Sequence, residues 1–202
     1  SVSSNTGTVS FDRSVYPVPF SGSSGCTNCA TDASDLRKGD GSTTGQTEAG
    51  NVTMTISVSD ADFTGDVLNV TDFAATGTIL VKLIEGATTS TCFTAGSASS
   101  STTTSTTVLQ ELGPLSATEI GSSVFEVSFT VDEVQHCGAN MRTITSGDVM
   151  QVQYVDTADD GGGTSTAYDS STFDLRTGTL SVDKDVYVLG SDVVITLTDP
   201  DL

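Results

Sequence analysis

The sequence predicts an all-β protein, and three observations carry that expectation. Runs in which apolar and polar residues alternate with a period of two appear repeatedly. Clusters of Gly, Ser, Asp and Asn separate these runs, as turns require. No stretch sustains the 3.6-residue period of an amphipathic helix. One apolar and one polar face per strand is the mark of antiparallel sheets buried on one side. Roughly seven strands in one module then predict an immunoglobulin-like β-sandwich with long loops.

The elements follow in chain order. Val9 and Phe11 open the first strand, which runs into Tyr16-Pro17-Val18-Pro19. Two prolines donate no ladder hydrogen bond, so this bend belongs on an edge strand that crosses from one sheet to the other. Residues 21–50 are rich in Gly and Ser and read as a loop. Val52, Met54, Ile56 and Val58 then alternate with Thr53, Thr55 and Ser57. Ile79, Val81 and Leu83 repeat the pattern, and a Ser/Thr-rich stretch at 86–107 reads as a second loop. Phe125, Val127, Phe129 and Val131 form the next strand, and Met150, Val152 and Tyr154 another, with Gln151 and Gln153 between them. A third loop at 157–166 holds Asp159-Asp160-Gly161-Gly162-Gly163 before a strand carrying Phe173 and Leu175. Val193, Ile195 and Leu197 close the set.

Two stretches repeat. Gly7-Thr8-Val9-Ser10-Phe11-Asp12-Arg13-Ser14-Val15-Tyr16 matches Gly178-Thr179-Leu180-Ser181-Val182-Asp183-Lys184-Asp185-Val186-Tyr187, so Gly7 and Gly178 stand 171 residues apart. Ser57-Val58-Ser59-Asp60-Ala61-Asp62-Phe63 matches Thr196-Leu197-Thr198-Asp199-Pro200-Asp201-Leu202, with Asp60 and Asp199 139 residues apart. The difference of the two offsets, 171 less 139, assigns 32 residues of extra loop to the first copy between Tyr16 and Asn51. Such self-similarity marks a tandem array. Residues 1–176 are thus expected to form one module and 177–202 the opening strands of a second, in a segment of a longer chain. Two strands alone are marginal in water, so the second copy must pack on the first, pair with another chain or continue into further sequence.

Charge narrows the partners. Asp and Glu number 26 against 7 Lys and Arg, a formal net charge of −19. Such a surface repels nucleic acid and anionic lipid, whose recognition needs clustered Lys and Arg. It attracts divalent and monovalent cations instead. Charged residues are only 16% of the chain, so the excess comes from missing Lys rather than acidic runs. That composition suits a saline medium, where screening acts within about 8 Å. No run of apolar residues reaches the ~20 needed for a spanning helix, and a secretion signal is expected to have been removed or to lie outside the segment.

Cys26-Thr27-Asn28-Cys29 is a closely spaced pair, whereas Cys92 and Cys137 are isolated. A redox pair would open a helix, and a zinc site would need a second close pair. Disulfides in a secreted protein fit better. Four cysteines allow three pairings; the expected one joins Cys26 to Cys29 and Cys92 to Cys137. Asp60, Asp62 and Asp66, with Asp199 and Asp201 at the equivalent strand end of the second copy, offer clustered carboxylates of the type calcium uses. Asp156, Asp159 and Asp160 form another acidic group. Asp also favours turns for its own hydrogen bonds, and both readings stand. Asp60 and Asp62 are expected to lie outside the apolar face. His136 is the sole histidine and sits beside Cys137; with no nucleophile-elbow or phosphate-loop motif, no enzyme activity is expected. Asn51-Val52-Thr53 and Asn69-Val70-Thr71 are acceptor sequons for N-glycosylation.

The repeat openings at 7–18 and 178–187, with Val-Ser-Asp-Ala-Asp at 58–62 and Thr-Leu-Thr-Asp-Pro-Asp-Leu at 196–202, resemble the surface-layer (S-layer) proteins of ammonia-oxidising archaea. The resemblance covers the repeat openings and D-x-D strand ends; 86–176 carry no matching motif. It implies a secreted structural shell of tandem immunoglobulin-like domains at the cell surface, with copies of itself as partners and with bound cations and glycans. An extracellular filament assembled by strand donation and an adhesin or binding module are the competing readings. The absence of Trp and the presence of only 4 Tyr weigh against a sugar platform.

Overall fold

A computed structural model describes residues 5–19, 51–68, 79–97, 109–175 and 178–198. Its strands are β1 (Thr8–Phe11), β2 (Val15–Pro17), β3 (Val52–Ser59), β4 (Val67–Leu68), β5 (Ile79–Glu85), β6 (Thr88–Ala95), β7 (Gln110–Glu111) and β8 (Leu115–Ala117). After these come β9 (Val124–Val131), β10 (Val134–Cys137), β11 (Asn140–Thr143), β12 (Val149–Asp156), β13 (Ser165–Asp174), β14 (Thr179–Val182) and β15 (Ile195–Thr198). A five-stranded sheet in the order β1-β3-β9-β8-β4 faces a six-stranded sheet in the order β2-β13-β12-β5-β6-β7. The chain is all-β, as the alternation predicts.

The core lies between the sheets. Met54, Ile56 and Val58 of β3 and Phe125, Phe129 and Val131 of β9 supply one wall. Ile79, Val81 and Leu83 of β5, Met150, Val152 and Tyr154 of β12 and Phe173 of β13 supply the other. Each fully buried aliphatic or aromatic side chain contributes about 1.5–3 kcal/mol. Their alternation with the less buried residues between them fixes the register, because a one-residue slip would turn every one of them away from the core.

The proline bend behaves as expected. β1 pairs antiparallel with β3, whereas β2 pairs in parallel with β13 at the edge of the other sheet. The chain thus changes sheets between Phe11 and Val15, and Pro17 occupies an edge where its missing N–H breaks no ladder. The free edge of β1 is covered as well: the Phe11 amide donates to Asp169 Oδ2 at 2.7 Å.

Two expectations are corrected. The stretch 86–107 is not all loop, because β6 occupies Thr88–Ala95 between β5 and β7. Its Thr-rich sequence hides the apolar alternation but suits a strand, since β-branched threonine favours extended backbone. The strands of the first module also outnumber the seven expected, the surplus being short pieces such as β4, β7 and β8 and the β10–β11 hairpin.

Cys92 and Cys137 form the expected disulfide, 45 residues apart, linking β6 to β10. The register of β5 against β6 shifts here, from Val81↔Phe93 to Lys82↔Thr91, leaving Cys92 as the extra residue of a bulge. A bulge re-aims a side chain, and Cys92 and Phe93 are consecutive yet both buried. Cys26 and Cys29 lie outside the described residues.

Candidate functional site

Two places concentrate polar chemistry: the acidic end of the first module and the repeat hairpin. At the acidic end, Asp60 follows β3 and Asp156 ends β12, so one carboxylate comes from each sheet. Asp60 is buried, contrary to its expected position outside the apolar face. The Tyr154 hydroxyl donates to its Oδ2 at 2.6 Å and the Asp62 amide to its Oδ1 at 2.9 Å. The buried Asp156 accepts from Gly7 N at 2.8 Å and from Ala158 N at 2.9 Å. The incoming chain therefore threads through this cluster. A Cβ on Gly7 would meet Tyr154 Cε1 at 2.5 Å and Asp60 Oδ2 at 2.9 Å, so only glycine fits.

Burial pushes the Asp60 carboxyl above its usual range, outweighing the hydrogen bonds from Tyr154 and the Asp62 amide, with the Asp156 and Asp62 charges adding to the rise. Burial likewise raises the Tyr154 hydroxyl, helped by its bond to Asp60.

Asp62 and Asp159 also accept hydrogen bonds on their side chains. Both Asp62 oxygens accept the Asn5 amide at 3.1 Å, and Oδ1 accepts Asn5 Nδ2 at 3.0 Å. Asp66 is exposed and uses its backbone carbonyl to receive Ala117 N. Asp159 Oδ1 accepts the amides of Gly161 and Gly163, shaping the turn between β12 and β13. Among the described residues, no group of three or more His, Cys, Asp and Glu side chains is placed to hold a metal. Asp60 accepts one protein hydrogen bond on each of its oxygens. Asp199, Asp201 and Asn69 lie outside the described residues. Asn51 and Thr53 are both exposed, as an accessible sequon requires. His136 lies on β10 opposite Met141.

The repeat hairpin carries the clearest signal. β1 pairs with β3 through Thr8↔Ser59, Val9↔Val58, Ser10↔Ser57 and Phe11↔Ile56. β14 pairs with β15 through Thr179↔Thr198, Leu180↔Leu197, Ser181↔Thr196 and Val182↔Ile195. Every pair is the first shifted by the two sequence offsets, so the repeat is one of register as well as letters. The same knot ties both copies. The Tyr16 hydroxyl donates to Asp12, whose Oδ1 also accepts Thr55 N at 2.8 Å; the Tyr187 hydroxyl donates to Asp183, whose Oδ1 accepts Val194 N at 3.0 Å. Arg13 and Lys184 each lie 3.6 Å from the knot carboxylate. These bonds hold Asp183 below the usual carboxylate range, the Tyr187 hydroxyl being the first cause, and Asp183 in turn raises Tyr187.

The sequence pattern contained this knot as Asp and Tyr four residues apart in both copies. The Tyr154–Asp60 bond had no such signal, since 94 residues separate its partners. No protein-family model matches the chain, and comparison with curated proteins finds no match.

Proposed function

We propose that the chain is a structural, non-enzymatic part of an extracellular array: one sandwich module and the opening of the next, in a secreted surface-layer protein whose partners are further copies of itself. The observation that supports this reading best is the recurrence of the β1–β3 register and its Asp–Tyr knot in β14–β15. Repeats that preserve hydrogen-bond register are what an end-to-end stack of modules needs. The net charge of −19 fits a surface that gathers divalent and monovalent cations through its field. Calcium belongs to this reading as an ion of the junction between modules, and Asn51 as a glycan carrier.

Imaging the assembled protein with and without chelator tests the array. An ordered two-dimensional sheet supports it; dispersed single particles in saline with calcium overturn it. The melting temperature from chelator to millimolar calcium tests the ion separately. A concentration-dependent rise assigns calcium to the native state, and a flat response leaves only diffuse attraction.

A filament assembled by strand donation is the second reading, favoured by the exposed apolar residues of β14 and β15. Long single fibres rather than sheets would distinguish it.

A further inference from the structure

We propose that the β14–β15 hairpin is the receiving edge of a second sandwich, and that its occupant is an antiparallel strand of the β9 pattern supplied by the remainder of a second repeat. The inference rests on the tandem-array reading and names what covers the hairpin.

Its faces are unlike. Leu180 lies opposite Leu197 and Val182 opposite Ile195, so these four share one side, while Thr179, Ser181, Thr196 and Thr198 line the other. The apolar four are 70%, 54%, 53% and 62% exposed in that order. Their counterparts in the first copy, Val9, Val58, Phe11 and Ile56, are 8%, 0%, 8% and 0% exposed. A two-stranded ribbon with one wholly apolar open face is marginal in water, and such a face marks a contact surface.

The first copy supplies the template for what belongs there. In an antiparallel ladder each residue directs its N–H and C=O to the same side, and neighbours alternate. Thr55 directs both groups toward Asp12, its carbonyl accepting the Asp12 amide and its N–H donating to the Asp12 carboxylate, so Met54, Ile56 and Val58 direct theirs to β9, opposite Phe129, Val127 and Phe125. Val194 likewise directs both toward Asp183, accepting its amide and donating to its carboxylate. Val193, Ile195 and Leu197 therefore direct their backbone groups outward, where no strand lies among the described residues. Direction and register follow: the incoming strand runs antiparallel to β15 and sets apolar side chains opposite Val193, Ile195 and Leu197. The β9 of this chain cannot serve, because β3 and β8 already hold its two edges. A second copy has the same β9 in the same grip; in the first copy the strand that pairs with this edge is β9, so the repeat assigns the place to a β9-like strand of its own.

The test is amide exchange on the full chain with a synthetic peptide carrying the Val124–Val131 sequence between terminal lysines. Exchange at Ile195 and Leu197 should slow by about tenfold or more, and at Thr196, which faces β14, by less. A peptide with apolar and polar positions exchanged should give no slowing. Ile195→Asp should abolish the effect while the first module melts unchanged. No slowing at Ile195 and Leu197 with millimolar peptide, or equal slowing with the exchanged peptide, would overturn the proposal. Protection without peptide that rises with protein concentration would also overturn it, by assigning the edge to a second copy. Strand capture without an ordered sheet in the imaging experiment fails the array reading alone; an ordered sheet without strand capture fails only this one.

Discussion

Tyr154 and Asp60 join the two sheets at one end of the sandwich: the phenol of β12 donates at 2.6 Å to the buried carboxylate that follows β3. The bond closes the gap through which the entering chain passes, and it makes one side of the core polar without leaving it unsatisfied.

Removing that hydroxyl leaves a buried oxygen without its donor. Tyr154→Phe is expected to destabilise the module by about 1–3 kcal/mol. Urea unfolding followed by far-ultraviolet dichroism measures it, and a change within error of zero would show that water replaces the phenol.

Gly7→Ala puts a methyl group against Tyr154 Cε1 and Asp60 Oδ2. The entering strand must shift, at a cost of about 1–3 kcal/mol for overpacking. In the double variant with Tyr154→Phe the two losses should not add, since Gly7, Tyr154 and Asp60 are in direct contact.

Asp60 gives the fold a defined pH response. Its pKa in the native state is raised above the ordinary 3.8 by burial, so folding favours the neutral acid. The stability from this preference is fully present below the unfolded pKa and is lost as pH rises through the folded one. Wild type should therefore gain stability relative to Asp60→Asn as pH falls toward 4, in paired thermal melts. A difference that stays constant with pH would remove Asp60 from the account.

The Cys92–Cys137 bridge closes a loop spanning 45 residues. The chain-entropy relation gives about 4 kcal/mol for such a closure. The Cys92→Ala/Cys137→Ala variant should lose that order of stability in urea. Both cysteines are buried, so reductant without denaturant should leave the bridge intact by thiol labelling and mass spectrometry.

Asp183→Ala unties the second knot and not the first. Protection of the β14–β15 amides should fall while the melting temperature of the first module holds. Asp12→Ala should lower that melting temperature, because its Tyr16 partner is buried among core residues including Phe173. A matching loss of module stability from Asp183→Ala would show that the hairpin packs on the first sandwich.

The fold was legible where the two faces of a strand differ. β3, β9 and β12 announce themselves because Val, Ile, Met and Phe alternate with residues such as Thr, Ser and Gln, and β5 because it is a short apolar run broken only by Lys82 before Glu85. β6 escaped because its first four residues, Thr88–Thr91, are all hydroxylated, and a bulge disturbs the period at Cys92 and Phe93. At the acidic end, the D-x-D spacing of Asp60 and Asp62 pointed to a turn open to cations. It could not reveal that Tyr154, 94 residues away, would claim one of those oxygens. The repeat was legible at the hairpin as matching letters, while its strand register and the bonds of Asp12 with Tyr16 and Asp183 with Tyr187 came from the structure.

The parallel alignment of β2 with β13 governs how the first module bears load. β2 lies near the start of the sandwich and β13 ends it, and they are joined through Thr172↔Val15, Phe173↔Tyr16 and Asp174↔Pro17. Tension applied along the chain enters ahead of β2 and leaves beyond β13, at opposite ends of two strands running the same way. Their contacts, including the bond from Thr172 N to the Ser14 carbonyl, are then loaded together in shear instead of being peeled one at a time. Tension along the chain is thereby directed along the axis in which this sandwich yields last.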